Sequence, residues 1–177
     1  MSQIVVSPST GFRVSAPGKL TSKRIIRGLR DATPLFSEPN YHLRFPTAKR
    51  GRKGAGLRFE RKACDHLMSR YPFFLPNLAI RYRDSAGSGV CIPDGLLFRE
   101  KEIIAFEMKL SHTRRAYYEL SGLYKPVLER AFGLPVRIAE VTRNYDPGDP
   151  FPVSFVICQD VGEFLTSTAT VGVVLWR

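Results

Sequence analysis

Cysteine, histidine and tryptophan are scarce in this chain, and acids are scarce in its first third. The 177 residues hold three cysteines, three histidines and one tryptophan. Cys64, Cys91 and Cys158 are too few and too scattered for a disulfide framework or a cysteine-rich zinc site. A reducing cytoplasm is therefore the expected compartment. His42, His66 and His112 show neither H-x-x-x-H spacing nor cysteine pairing, so zinc is not expected. Apolar runs last only a handful of residues, so no membrane span is expected. The opening MSQIVVSPST lacks a basic segment followed by a long apolar one, so no secretory signal is expected. A Walker loop, a dinucleotide fingerprint and internal repeats are all missing. Apolar residues still make up 44% of the chain. That is enough for a sizeable core at this length, and it excludes a disordered protein.

What is present is a lopsided charge. The formal net charge is +11. Residues 1–62 carry fourteen Lys or Arg against three acids, and the remainder is balanced at thirteen of each sign. The densest run is Lys49-Arg50-Gly51-Arg52-Lys53-Gly54. Its glycines suggest a flexible loop able to follow a phosphate backbone. Binding of that kind releases counterions and is salt-sensitive. A solvated, solubilising face is the plainer explanation, but the even balance elsewhere favours nucleic acid. Residues 1–55, rich in Ser, Thr, Pro, Gly and basic residues, read as an arm in which Ser22–Leu29 can form a helical turn or two. Residues 56–177 read as the folded domain.

Hydrophobic periodicity places the elements. Phe59, Ala63, Cys64, Leu67 and Met68 form a helical stripe over 57–70, which Pro72 stops. Residues 78–83 alternate as a strand, and 85–89 form a turn. Residues 90–98 read as a second strand with Pro93 at a bulge or edge. Residues 103–110 are almost wholly apolar, which suits a strand buried on both faces. Ala116, Tyr117, Leu120, Leu123, Tyr124, Val127, Leu128 and Ala131 form one stripe of a long helix that Pro126 should kink and Gly133 end. Residues 136–142, 153–158 and 171–176 read as strands, with Asp160 capping a short helix. This order predicts an α/β fold, a mixed central sheet flanked by helices.

One constellation interrupts the apolar strands. Asp94 follows Pro93, and thirteen residues on come Glu107, Met108 and Lys109. Side chains two apart on a strand share a face, so Glu107 and Lys109 point together. The hairpin brings Asp94 beside Glu107. Charges inside apolar strands are costly unless paired or metal-bound. A simple salt bridge through Lys109 leaves the second acid unexplained. Asp94, Glu107 and the Met108 carbonyl together offer hard oxygen ligands to Mg²⁺. Lys109 can then orient or activate a water and stabilise charge in a transition state. Gly95, next to Asp94, leaves room for a close approach of substrate.

The PD…ExK spacing on a hairpin resembles the PD-(D/E)XK nuclease superfamily, over about residues 57–142. The resemblance implies a restriction-endonuclease-like core. It also implies Mg²⁺-dependent hydrolysis of phosphodiester bonds, with Mn²⁺ able to substitute, on DNA more often than RNA. The family's first helix often carries a glutamate facing the site, and Glu60 matches that position. Some members carry a Gln and a tyrosine in the helix after the motif. Glu119 and Tyr124 lie in the matching helix, with Glu119 in place of Gln. By this resemblance Glu60, Asp94 and Glu107 hold the metal with the Met108 carbonyl, and Lys109 assists the water. Lys49, Arg50, Arg52 and Lys53 are the expected DNA contacts, joined by Arg114 and Arg115 at a helix N-terminus that Ser111 or Thr113 caps. A homodimer would suit cutting of two strands. Structure-directed cutting, or DNA processing in a phage or mobile element, are the kinds of role implied. The competing readings are a nucleic-acid-binding or assembly protein on the same scaffold without cleavage, and a protein whose basic arm binds an acidic partner.

Overall fold

A computed structural model describes residues 26–35 and 52–176, with side chains from residue 54 in the second stretch. Helix α1 spans Arg52–Arg70. It buries Phe59, Ala63, Cys64 and Leu67 along one stripe and exposes Arg58, Arg61, Lys62 and Asp65. The chain then turns at Tyr71, and Pro72 prevents continuation. The helix begins before residue 57, so Arg52 and Lys53 lie in its first turn and not in a flexible loop. Lys49 and Arg50 lie outside the described residues.

Two sheets follow. Strands β1 (Asp31–Leu35), β3 (Ala79–Asp84) and β4 (Gly87–Cys91) form an antiparallel sheet in the order β1-β3-β4. Six strands form the central sheet. They are β2 (Phe74–Pro76), β5 (Gly95–Phe98), β6 (Ile103–Ser111), β7 (Val136–Asn144), β8 (Val156–Cys158) and β9 (Val171–Leu175), in the order β2-β5-β6-β7-β9-β8. β5 pairs antiparallel with β6, whereas β6, β7 and β9 run parallel. The fold is α/β with a mixed central sheet, as the element order predicts.

Several local expectations change. Residues 31–35, read as part of an arm, form a strand of the small sheet. Of the helical turn expected over 22–29, only residues 26–29 are described, and they are irregular. The strand expected over 90–98 is two strands in two different sheets, broken at Ile92-Pro93-Asp94. Proline cannot donate to a ladder, and the chain uses that position to leave one sheet and enter the other. The strand expected over 153–158 shortens to Val156–Cys158. Gly95 gives no room to substrate, because the ring of Phe74 occupies the space where a Cβ would stand.

The long helix expected after β6 forms in three pieces. Helix α2 spans Arg114–Glu119, a π-helical turn spans Leu120–Tyr124, and helix α3 spans Lys125–Phe132. Pro126 has no N–H for the Gly122 carbonyl one turn earlier, and that carbonyl instead accepts the backbone N–H of Ile26 at 3.2 Å. Gly133 ends α3 in the left-handed conformation, φ 66°, where a side chain would be strained. Helix α4 (Val161–Thr166) is capped by Asp160, whose carboxylate accepts the Glu163 N–H at 2.8 Å.

The central sheet separates two apolar layers. Phe106, Met108, Ala139 and Val141 pack against α1, together with Phe164 of α4. Ile103, Ala105, Ile138 and Leu96 pack against α3, the π-turn and the small sheet. Alternation along β6 therefore assigns Glu107 and Lys109 to the second layer. Among the described residues no helix is long and apolar enough to cross a membrane.

Candidate functional site

The register continues the hairpin so that Asp94 stands beside Glu107, one step beyond the Gly95–Phe106 pair. Both acids are buried. One oxygen of Asp94 accepts the Met108 backbone N–H at 2.8 Å. In a strand the N–H and C=O of one residue point to the same side, so the Met108 carbonyl also faces the end of β5. The same register would set Pro93 opposite Met108, and proline has no N–H for that carbonyl. The proline thus breaks the strand at this point.

Lys109 forms an ion pair with Oε1 of Glu107. Its ammonium lies 3.7 Å from Glu119, and its side chain is 31% exposed, so it bridges the buried acids and the surface. Oε2 of Glu107 is buried and has no hydrogen-bond partner among the described residues. Burial pushes the Glu107 carboxyl well above its ordinary range, and the neighbouring Asp94 charge adds to this; Lys109 only partly offsets it. Burial opposes the charge on Lys109, but Glu107, Asp94 and Glu119 outweigh that and raise its pKa. Lys109 is therefore a fixed ammonium at neutral pH. It can donate hydrogen bonds and stabilise negative charge, and it is unsuited to taking a proton.

Glu119 and Tyr124 arrive from the helix across the cluster. Burial raises the Tyr124 phenol, and Glu107, Asp94 and Glu119 add to it. Glu60 is half-buried on α1, which covers the other face of the sheet. It lies one turn before Cys64, whose thiol donates to the Asp94 carbonyl at 3.6 Å and contacts the Met108 sulfur at 3.5 Å. Glu60 therefore belongs to the layer on the opposite face of the sheet from Glu107.

Arg114 and Arg115 are exposed and each takes part in a surface ion pair. Arg114 pairs with Asp149 at 3.1 Å and donates to the Pro150 carbonyl at 3.1 Å. Arg115 pairs with Glu119 at 3.0 Å. The cap of α2 is Thr113, whose hydroxyl accepts the Arg115 N–H at 3.2 Å. Burial pushes the Cys91 thiol up to about 12, which removes it as a nucleophile.

Sequence reasoning missed one buried pair. Glu140 of β7 stands in register with Glu107 of β6. It is fully buried and bonds the His112 ring through Nδ1. Its other oxygen accepts the Thr113 N–H at 3.2 Å. The second ring nitrogen of His112 donates to the Asp149 carbonyl at 2.9 Å, and Tyr145 and Phe151 pack on the ring. A lone acid in the apolar run VRIAEVT was the available signal, and its partner lies 28 residues away.

The acid cluster suits a divalent cation. Two buried carboxylates repel each other, one carboxylate oxygen lacks a donor, and a backbone carbonyl faces the same end of β5. Hard oxygen donors of this kind match Mg²⁺ or Mn²⁺. The chain matches no family model, no curated protein and no solved structure.

Proposed function

We propose that this protein is a Mg²⁺-dependent endonuclease acting on DNA. The observation that carries this reading is the buried Glu107 carboxylate, set beside Asp94 with one oxygen unsatisfied and the other paired with Lys109. A purely structural ion pair would need neither Asp94 nor an orphaned oxygen. Asp94, Glu107 and the Met108 carbonyl would hold the ion, with Glu60 approaching from α1. Mg²⁺ supplies Lewis acidity at the scissile phosphate. Lys109, a fixed ammonium, orients the attacking water and offsets charge that develops on the phosphate. Glu119 limits the position of Lys109. The basic run around Lys49–Lys53 tracks the phosphate backbone, and a homodimer would let two strands be cut. The resemblance to the PD-(D/E)XK superfamily supports the same chemistry from motif spacing alone.

The rival reading is a nucleic-acid-binding or assembly module without cleavage. It rests on the charge distribution and gives the acid cluster no role. A cleavage assay separates the two. Supercoiled plasmid, single-stranded DNA and a four-way junction are incubated with Mg²⁺, Mn²⁺ or EDTA, beside the Asp94→Ala variant. Metal-dependent cutting that the variant loses supports the nuclease. Salt-sensitive binding without cutting by either protein supports the module.

A further inference from the structure

A second cationic surface lies on the small sheet, most of it outside the basic segments that the sequence singles out. Arg81 and Arg83 alternate outward on β3, with Tyr82 between them turned into the core. Register sets Arg81 beside Thr33 and Val90, and Arg83 beside Asp31 and Ser88. Arg30 joins them, because its N–H donates to the Arg83 carbonyl at 2.8 Å. Arg130 of α3 reaches the same edge and donates to the Arg30 carbonyl at 2.9 Å. Arg27 is held there by Ser85, whose N–H and hydroxyl donate to its carbonyl at 3.0 and 2.8 Å. All five arginines are exposed.

The local balance is one-sided. Asp31 pairs with Arg83 at 2.7 Å. Arg27, Arg30, Arg81 and Arg130 have no ion pair among the described residues. Other exposed cations have acids to hand, as in Arg61–Asp65, Arg99–Glu102 and Lys125–Glu129, whereas Arg58, Lys62, Arg70, Lys101 and Arg143 also lack an ion pair among the described residues. What sets the rim apart is five exposed arginines gathered around one small sheet with one acid between them.

This rim is joined to the acid cluster. β4 ends at Cys91, three residues before Asp94. Ile26, beside Arg27, bonds Gly122, two residues before Tyr124. The outward residues next to Arg81 are Thr33 and Val90, so among the described residues Arg81 has no aromatic platform beside it for unstacked bases. Arg81 and Arg83 stand about 6.8 Å apart along the strand, a spacing suited to a regular backbone.

We propose that this rim binds the phosphate backbone of duplex DNA flanking the acid cluster. The inference rests on the nuclease reading for the identity of the polyanion, and its test does not depend on cleavage. Binding of a labelled duplex of about 24 base pairs is measured by anisotropy in EDTA across a salt series. The Arg27→Gln/Arg30→Gln/Arg81→Gln variant leaves the Asp31 and Arg130 contacts in place. Its affinity at about 0.1 M salt should fall tenfold or more, and its salt slope should drop by about 2 to 3. Arg81→Gln alone, at an exposed strand position, should lower the slope by about 1 and covers the case in which the triple variant does not fold. An unchanged slope in a folded variant overturns the proposal. So does tighter wild-type binding to single-stranded DNA or to an RNA duplex of the same length. If the wild type never cuts but the slope falls, the nuclease reading fails and the rim stands. If it cuts but the slope is unchanged, the rim alone fails.

Discussion

Glu107 and Glu140 stand side by side in register on β6 and β7, and the protein treats them oppositely. Glu140 is enclosed by His112 and the Thr113 N–H, so both oxygens are satisfied. Burial raises its pKa, but His112 pulls it back. Glu107 sits beside another acid, pairs through one oxygen with Lys109, and leaves the other without a donor. The same residue type, on the same face of the same sheet, is finished in one strand and unfinished in the next. A satisfied buried acid fixes structure, and here it ties the 145–151 loop to the start of α2. An unsatisfied buried carboxylate is costly unless it takes up a proton or a partner.

The difference is sharpest in activity. Lys109→Ala should lower cleavage by about a thousandfold or more while leaving duplex binding in EDTA intact. Joint loss of cutting and binding would indicate a folding defect and erase the contrast. Stability should show the reverse ranking. His112→Ala or Glu140→Ala breaks a fully buried pair and should cost about 3–5 kcal/mol in urea unfolding. The double variant should lose less than the sum of the two. A larger loss from Asp94→Ala than from His112→Ala would break the comparison.

Neutralising Lys49, Arg50, Arg52 and Lys53 tests whether binding is separable from both glutamates. Affinity should weaken about tenfold or more and its salt dependence flatten, with melting temperature and metal dependence unchanged. The smallest effect concerns pH. The raised pKa of Glu107 means the folded chain binds that proton more tightly than the unfolded chain. Its contribution to stability is present below the ordinary carboxyl range and is lost as pH rises through the folded value. Glu107→Gln removes this titration. In EDTA its melting temperature relative to wild type should therefore climb by a few degrees from about pH 4 to about pH 8. A constant difference would mean that Glu107 is charged with little penalty.

Much of this fold is legible in the sequence because its signals are local. The stripe Phe59, Ala63, Cys64 and Leu67, the apolar run of β6 and the stop at Gly133 each follow from periodicity or backbone freedom within one segment. Asp94 and Glu107 were legible as neighbours because a hairpin converts sequence spacing into register. Glu119 and Tyr124 were placed only by resemblance, and the pairing of Glu119 with Lys109 depends on how the helix packs over β6. The division of residues 87–98 between two sheets was not legible, because Pro93 signals an interruption without saying where the chain goes next. The His112–Glu140 pair was not legible either, since parallel register between β6 and β7 depends on the whole crossover between them.

By itself, the sequence determined an α/β chain with a lopsided positive charge and an acid pair with a lysine inside apolar strands. Those are properties of composition and of spacing within single elements. Only the tertiary structure decided that Lys109 reaches Glu119 as well as Glu107, that Arg114 and Arg115 are already paired, and that arginines from β3, α3 and the 26–30 segment share one rim. Each of these depends on groups far apart in the chain, and burial and charge act on whatever folding brings within a few ångströms.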